Sequence, residues 1–267
     1  MDSASTDGSP ERWRAAGFRV FHIERANFDH GGTRNLGAYN SRGNILVFMV
    51  QDAVPADEDC LANLILPIVS GKVVATFARQ VPKEDASPLE RFARSFNYPA
   101  ESQVKNVAQA RELGIRAFFF SNVCSAVRAD VFWEVGGFPE GMIVNEDVVL
   151  CAKLLRAGYK VKYEARARVY HSHRYGIVQH FKRYFDIGVF VSQAGNLLEG
   201  ASMGTEGLNF VIGQASYAVE RGWYLSLFRV VAEAAVKLAA LNLGKRERWI
   251  AFPLKRHLSM HGSFWKR

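Results

Sequence analysis

Little in the sequence would tie the chain together covalently or anchor it in a bilayer. Three cysteines, Cys60, Cys124 and Cys151, are scattered through 267 residues with no paired spacing. That excludes a disulfide scaffold and the paired spacing of zinc modules. Each lies among apolar residues, as buried, reduced thiols of a cytosolic protein do. No apolar run is long and uncharged enough to span a bilayer, and no secretory signal pattern is visible. Internal repeats are absent, and no recognised nucleic-acid motif accompanies the 34 Lys and Arg residues. The chain does have a 49% hydrophobic share and a formal net charge of +8. The first is ample for one large domain with an appendage. The second favours anionic partners: sugar nucleotides, lipid phosphates, membrane surfaces or nucleic acid.

The most informative stretch runs from Phe119 to His173. Phe118-Phe119-Phe120 reads as the end of a buried strand, broken by Ser121-Asn122. Val135-Gly136-Gly137-Phe138-Pro139 reads as a tight turn, with glycines free to take positive φ. Asn145-Glu146-Asp147 then opens a helix whose Val148, Cys151, Ala152 and Leu155 share one face, and Gly158 suits its end. Two acids in the first turn exceed what capping requires. A strand from Tyr159 to Tyr163 follows, and the stretch closes on Tyr170-His171-Ser172-His173.

Upstream, Phe18 to Ile23 alternates as a strand would. Thr33 is placed to cap a helix running towards Arg42, and the Arg34 guanidinium could grip a diphosphate in bidentate fashion. Asn44 to Val50 reads as a central, fully apolar strand ending in Gln51-Asp52, and open α/β sheets place ligand chemistry at such strand ends. A helix is expected from Glu58 to Val69 and a strand from Val73 to Phe77. Pro82 to Glu112 is irregular apart from a short helix at Leu89 to Phe96, and suits an acceptor-binding lid. Beyond Tyr175 the chain turns helical and aromatic. Ile177 to Leu198 forms one helix; in another, Trp223 to Leu243, Arg229, Glu233 and Lys237 recur at i+4 as an ion-paired stripe. With the basic, aromatic tail around Trp249, Lys255, Arg256 and Trp265, these are the ingredients of interfacial membrane binding.

Taken in order, Gly136-Gly137-Phe138-Pro139-Glu140, Asn145-Glu146-Asp147, Leu154 to Lys160 and Val169-Tyr170-His171-Ser172-His173 resemble inverting family 2 glycosyltransferases, bacterial rhamnosyltransferases above all. The resemblance covers Asp2 to Trp265. It implies an α/β fold of the glycosyltransferase A type, mainly parallel, with helices on both faces. Residues 1–175 would be the catalytic domain, without the family's first strand and helix, and residues 176–267 a helical extension. Asp2 matches the acid that binds the nucleotide base, although it stands near a chain end. Arg34, Asn35, Gln51, Asp52 and Asn122 match further donor contacts. Asp147 matches the base that deprotonates the acceptor, with Glu146 shaping its pKa or contacting the acceptor. Val50 stands where the family has the first acid of an Asp-x-Asp pair. That leaves Asp52 to hold Mg2+ or Mn2+, helped by His171; His173 is expected on the opposite face.

The activity so implied is transfer of a sugar, rhamnose from dTDP-rhamnose, to a hydroxyl of a glycan or lipid-linked acceptor with inversion. It belongs to cell-surface polysaccharide biosynthesis by a cytoplasmic enzyme held peripherally on the inner face of the plasma membrane. Two readings compete with it: a chain that keeps the fold without activity, and a basic nucleic-acid-binding module suggested by charge alone.

Overall fold

The apolar segments assemble into a six-stranded mixed sheet with helices on both faces. The computed structural model describes residues 1–109, 114–195 and 204–265. Its strands are β1 (Ile45–Met49), β2 (Val54–Pro55), β3 (Ala75–Val81), β4 (Gln103–Lys105), β5 (Cys124–Arg128) and β6 (Val161–Tyr170). They lie in the order β1-β5-β3-β6-β2, and β4 also pairs with β6. The helices are α1 (Ser9–Ala15), α2 (His30–Tyr39), α3 (Cys60–Val69), α4 (Pro88–Asn97), α5 (Ala129–Glu134), α6 (Glu146–Arg156), α7 (Ile177–Ala194), α8 (Gly204–Glu220), α9 (Tyr224–Lys245) and α10 (Phe252–Leu258).

The mainly parallel sheet expected from the sequence needs correction. Only β3 and β6 pair in parallel among the described strands; β5 runs against β1 and β3, and β2 and β4 run against β6. The strands β1, β3 and β6 do share one direction, but β5 is inserted between the first two. Its sequence, Cys-Ser-Ala-Val-Arg, is too short and mixed to announce a strand. The central place given to β1 fails as well. β1 pairs only with β5 among the described residues, and Val47 and Met49 are exposed. An apolar run does not by itself say whether both faces are covered. Leu46 is buried in the core, and Phe48, half-buried, packs onto Phe132 and Phe138 with ring centroids 5.8 and 5.0 Å away.

Two further expected strands are absent. Residues 18–23 have only Asp2 beside them: its N–H donates to the Phe21 carbonyl and its carbonyl accepts from Ile23 N–H, both at 2.8 Å. Residues 114–118 wind into a 3-10 turn instead of a strand. The buried Lys105 ammonium holds that turn by donating to the carbonyls of Arg116 (3.0 Å) and Phe119 (2.8 Å). Burial lowers the Lys105 pKa to about 8.

Helix α3 covers one sheet face through Cys60, Leu64 and Ile68. The other face packs on α6, where Val149, Leu150, Leu154 and Leu155 are fully buried, and on Phe185, Val189 and Phe190 of α7. The core therefore runs without a break from the sheet into the helices after residue 175. Within that helical part, α7 and α9 cross at glycines. A Cβ on Gly244 would lie 2.1 Å from the Phe185 carbonyl oxygen, and one on Gly188 2.3 Å from that of Leu241. The tail is pinned too: the Asp186 carboxylate accepts from the backbone N–H groups of Met260 (2.9 Å) and His261 (3.3 Å). Since backbone opposes backbone at the crossing, Gly244→Ala should destabilise the fold by about 1–3 kcal/mol, despite alanine's advantage of about 1 kcal/mol in a helix. A urea midpoint equal to or above the parent's would refute so close a crossing.

Candidate active site

The site begins with the way α2 is fastened. Asp29, not Thr33, caps the helix, accepting from Gly32 N–H at 2.6 Å. Its other carboxylate oxygen accepts from Gly141 N–H at 3.0 Å. Asn35 accepts from Phe138 N–H (2.9 Å) and donates to the Phe138 carbonyl (3.0 Å), so its amide is spent on the 136–141 turn. Gly31 is obligatory here, because a Cβ would sit 1.9 Å from the Pro139 carbonyl oxygen. The glycine-rich segment on α2 and the Gly-Gly-Phe-Pro-Glu turn are thus one joint.

That joint delivers Arg34 to Glu146. The Arg34 Nη1 donates to the Glu146 carboxylate at 2.7 Å and to the His30 carbonyl at 3.0 Å. Glu146 is buried, and Asp147 beside it is half-buried. Both occupy the first turn of α6, entered through Asn145 in the left-handed conformation at φ 62°. Asn122 ties the pair together: its N–H donates to Asp147 at 3.1 Å and its side-chain amide to Glu146 at 3.3 Å. Burial first, then the neighbouring Glu146 charge, raises the Asp147 carboxyl from its ordinary 3.8 to about 7.

A second cluster stands at the ends of β1 and β6. Nε2 of His171 and Nε2 of His173 lie 3.5 and 3.6 Å from one carboxylate oxygen of Asp52. The opposite faces expected for the two histidines are therefore wrong; residues two apart in extended chain point the same way. The donor atoms of the three residues lie within 4.8 Å of one another. Burial, and next to it the Arg94 charge, lowers the His171 pKa to about 4, and burial also lowers that of His173. Neutral imidazoles and one carboxylate are a donor set that fits a divalent cation. Gln51 is exposed in the turn beside Asp52.

The residues that join the two clusters gave no sequence signal beyond a lone glutamine in an apolar strand. His171 Nδ1 donates to the Gln80 side-chain carbonyl at 2.9 Å, which fixes Nε2 toward Asp52. Arg94 donates to the same carbonyl. The Gln80 amide donates to Tyr98 and, at 2.9 Å, to Ser121, the neighbour of Asn122. Asp2 is well held despite its place near the chain end. It accepts from Ser5 N–H (3.3 Å), and its carboxylate lies 3.1 Å from His22 Nδ1.

The mixed sheet with helices on both faces is that of a glycosyltransferase of the A-type fold, and the acid pair and the carboxylate–histidine cluster stand at its helix and strand ends. The chain belongs to glycosyl transferase family 2, whose sequence model matches residues 1–136. It is 37% identical over 270 residues to the O-antigen chain rhamnosyltransferase RfbN of Salmonella typhimurium strain LT2, covering 99% of this chain and 85% of the relative. Identity to the O-antigen chain rhamnosyltransferase WbaN of Salmonella anatum is 35%, over 99% of this chain and 84% of that one. Among solved structures it is similar in fold to the mannosyltransferase PcManGT from Pyrobaculum calidifontis, in complex with GDP-Man and Mn2+. That match has a TM-score of 0.60 at 16% identity, over 93% of this chain and 76% of that one.

The raised Asp147 carboxyl has a consequence for stability. Between pH 3.8 and about 7 the folded chain holds a proton there that the unfolded chain has lost. Stability therefore falls as pH rises through that window. Asp147→Asn should flatten the profile and gain on the order of 1–3 kcal/mol over the parent at pH 8. Urea unfolding at pH 5 and pH 8 measures this; parallel profiles for the two proteins would show that Asp147 titrates normally.

Proposed function

We propose that this glycosyltransferase moves a sugar, rhamnose from dTDP-rhamnose, to an acceptor hydroxyl with inversion, during assembly of a cell-surface polysaccharide. The two Salmonella relatives, both O-antigen chain rhamnosyltransferases, support the sugar and the pathway class. The observation that carries the reaction is the Asp147 carboxyl, poised near neutral pH beside an ion-paired Glu146.

In this reading Asp147 takes the acceptor's proton as the acceptor oxygen bonds to the anomeric carbon. The bond from that carbon to the diphosphate breaks on the opposite face, and its electron pair leaves with the diphosphate. A base with a pKa near the working pH contributes typically ~10² to 10⁴-fold. Glu146 suits the role less, because its carboxylate is already held in the ion pair with Arg34. Burial, and next the remaining influence of the Glu146 charge, keeps Asp147 basic. Asp52, His171 and His173 would hold Mg2+ or Mn2+, the imidazoles favouring manganese, and the ion would supply Lewis-acid neutralisation of the diphosphate. Asp2, Arg34, Gln51 and Asn122 are proposed to shape the donor pocket around that cluster.

Asp147→Asn should lose at least 100-fold in transfer while keeping Mn2+-dependent dTDP binding; Asp52→Ala should lose that binding, and His171→Ala should weaken it less. Parent activity should rise as pH passes 7. Transfer by Asp147→Asn within tenfold of the parent would remove it as the base, and full activity in excess chelator would remove the metal.

We also propose a peripheral seat on an anionic membrane, which suits a lipid-linked acceptor. No described helix is long and apolar enough to cross a membrane. Helix α9 instead turns apolar side chains to solvent: Leu225 is 85% exposed, Phe228 79% and Val231 66%, with Trp249 beyond it at 89%. Arg246 and Arg248 flank that tryptophan. Deleting α9 would strip the core of its α7 partner, so surface changes are the cleaner test. Substituting serine for Leu225, Phe228 and Val231 together should reduce binding to phosphatidylglycerol vesicles at least fivefold without lowering the melting temperature. Unchanged vesicle binding would leave that face without a membrane role.

A further inference from the structure

We propose that the cleft enclosed by α4, residues 173–176, α7, α8 and α9 is the subsite for a neutral pyranose ring of the acceptor; this rests on the transferase reading above. The cleft has a volume of about 420 Å³, within the range of roughly 300–1,000 Å³ usual for small-molecule sites. It opens directly onto the Asp52 cluster, because His173 lines both. Tyr175 stacks on His173 with ring centroids 5.1 Å apart and extends the wall outward.

The chemistry of the walls selects the ligand. Each cation lining this cleft already has a carboxylate beside it, which leaves a phosphate or uronate less to gain. Arg174 meets Asp85 at 3.2 Å, and Arg229 and Lys237 share the single carboxylate of Glu233 at 2.8 and 3.3 Å. The lining carboxylate left over, Glu90, is held by Arg94 at 2.7 Å. Burial lowers the His180 pKa below its ordinary value. What remains is a set of donors and acceptors, including Gln214 and His180, beside the aromatic rings of Tyr175 and Phe210. A sugar ring, with hydroxyls on its rim and C–H groups on its faces, matches that combination.

Two features are hard to explain by folding alone. His180 Nδ1 is buried without a hydrogen-bond partner among the described residues, although its Nε2 lies 3.5 Å from Glu233. A buried polar atom left unpaired costs free energy that a ligand hydroxyl could recover. On α9, Glu233 is only 5% exposed, while the same helix presents Leu225 and Phe228 to solvent. A buried carboxylate on a helix that leaves large apolar side chains in water is not the sorting that stability alone favours.

The probes are octyl glycosides of glucose, galactose, mannose and rhamnose, with octyl glucuronide and inorganic phosphate as charged controls, read by saturation-transfer NMR. The variants are Gln214→Leu, which removes a buried amide at nearly constant volume, and Arg229→Met at the exposed rim. At least one neutral glycoside should bind the parent, and its Kd should rise tenfold or more in both variants. Mn2+-dependent dTDP binding should stay within twofold. If Gln214→Leu does not fold, Arg229→Met carries the test. Neutral glycosides that do not bind, or that bind parent and variants alike, overturn the subsite while leaving the transferase reading intact. Stronger binding of glucuronide or phosphate, lost in the same variants, overturns its neutral character. A parent that binds none of dTDP, GDP or UDP with Mn2+ overturns the transferase reading and the subsite with it.

Discussion

Two carboxylates adjacent in sequence, in a partly dehydrated place, cannot both stay charged without a cation close by. The Arg34–Glu146 ion pair meets that constraint, and much of the catalytic half of the molecule serves to position it. Arg34 reaches Glu146 because α2 is locked to the 136–141 turn by Asp29, Asn35 and the close approach at Gly31. The turn in turn feeds the chain into α6 through a left-handed Asn145. A side chain in that conformation is held only where its surroundings over-determine it. Two stretches about a hundred residues apart are thus a single mechanical part. Its product is an asymmetry: one acid neutralised, the other left with a proton affinity near neutrality.

The second organising feature is the polar line through the core that begins at Gln80. A buried glutamine must satisfy a carbonyl and an amide together. Here the carbonyl faces His171 and Arg94, and the amide faces Tyr98 and Ser121. The orientation of the imidazole beside Asp52 is therefore linked to the backbone that presents Asn122 to Asp147. The strand carrying Gln80 allows this because β6 is irregular opposite it. The pairing jumps from Ala78–Glu164 to Arg79–Arg168, and Glu164 and Ser102 accept the N–H groups of Arg166 and Ala165 within the bulge. Beyond the bulge β6 resumes in the register that brings its histidine end to the end of β1.

Much of this was legible in the sequence wherever local chemistry and tertiary structure agree. The acid pair at a helix start, the helix from residue 146 to its glycine stop, and the ion-paired repeat of Arg229, Glu233 and Lys237 are all periodic or capping signals, and the structure has them. The convergence of Asp52 with His171 was anticipated through family likeness alone, and the equal approach of His173 was missed by a misjudged alternation. The rest was hidden for physical reasons. A long-range ammonium, Lys105, decides that residues 114–118 coil, and a strand with no apolar run, β5, reverses the sheet between β1 and β3. No window of sequence contains either interaction. Gln80 is a single polar letter whose four partners come from three other segments.

Helix α9 departs from the usual sorting of side chains. Its sequence is amphipathic, and a folding argument alone would put leucine and phenylalanine inside and the charged stripe in water. The structure departs from this: beside the buried Val230 and Ala240 it buries Glu233 and leaves Leu225, Phe228 and Val231 exposed. Burying a carboxylate is tolerable only because cations stand against it, Lys237 half-buried and Arg229 at the exposed rim, and such a network seldom stabilises more than apolar packing would. Exposed apolar area is likewise a standing liability to aggregation unless something covers it. Both penalties vanish together if the outer face rests on a lipid surface and the inner face lines a polar cleft. The glycine crossing of α7 and α9 then has a clear purpose: it fixes the membrane-facing side of the helix and its ligand-facing side in one rigid relation to the Asp52 cluster. An acceptor held in lipid by its tail and in the cleft by its sugar would meet the base at a set depth.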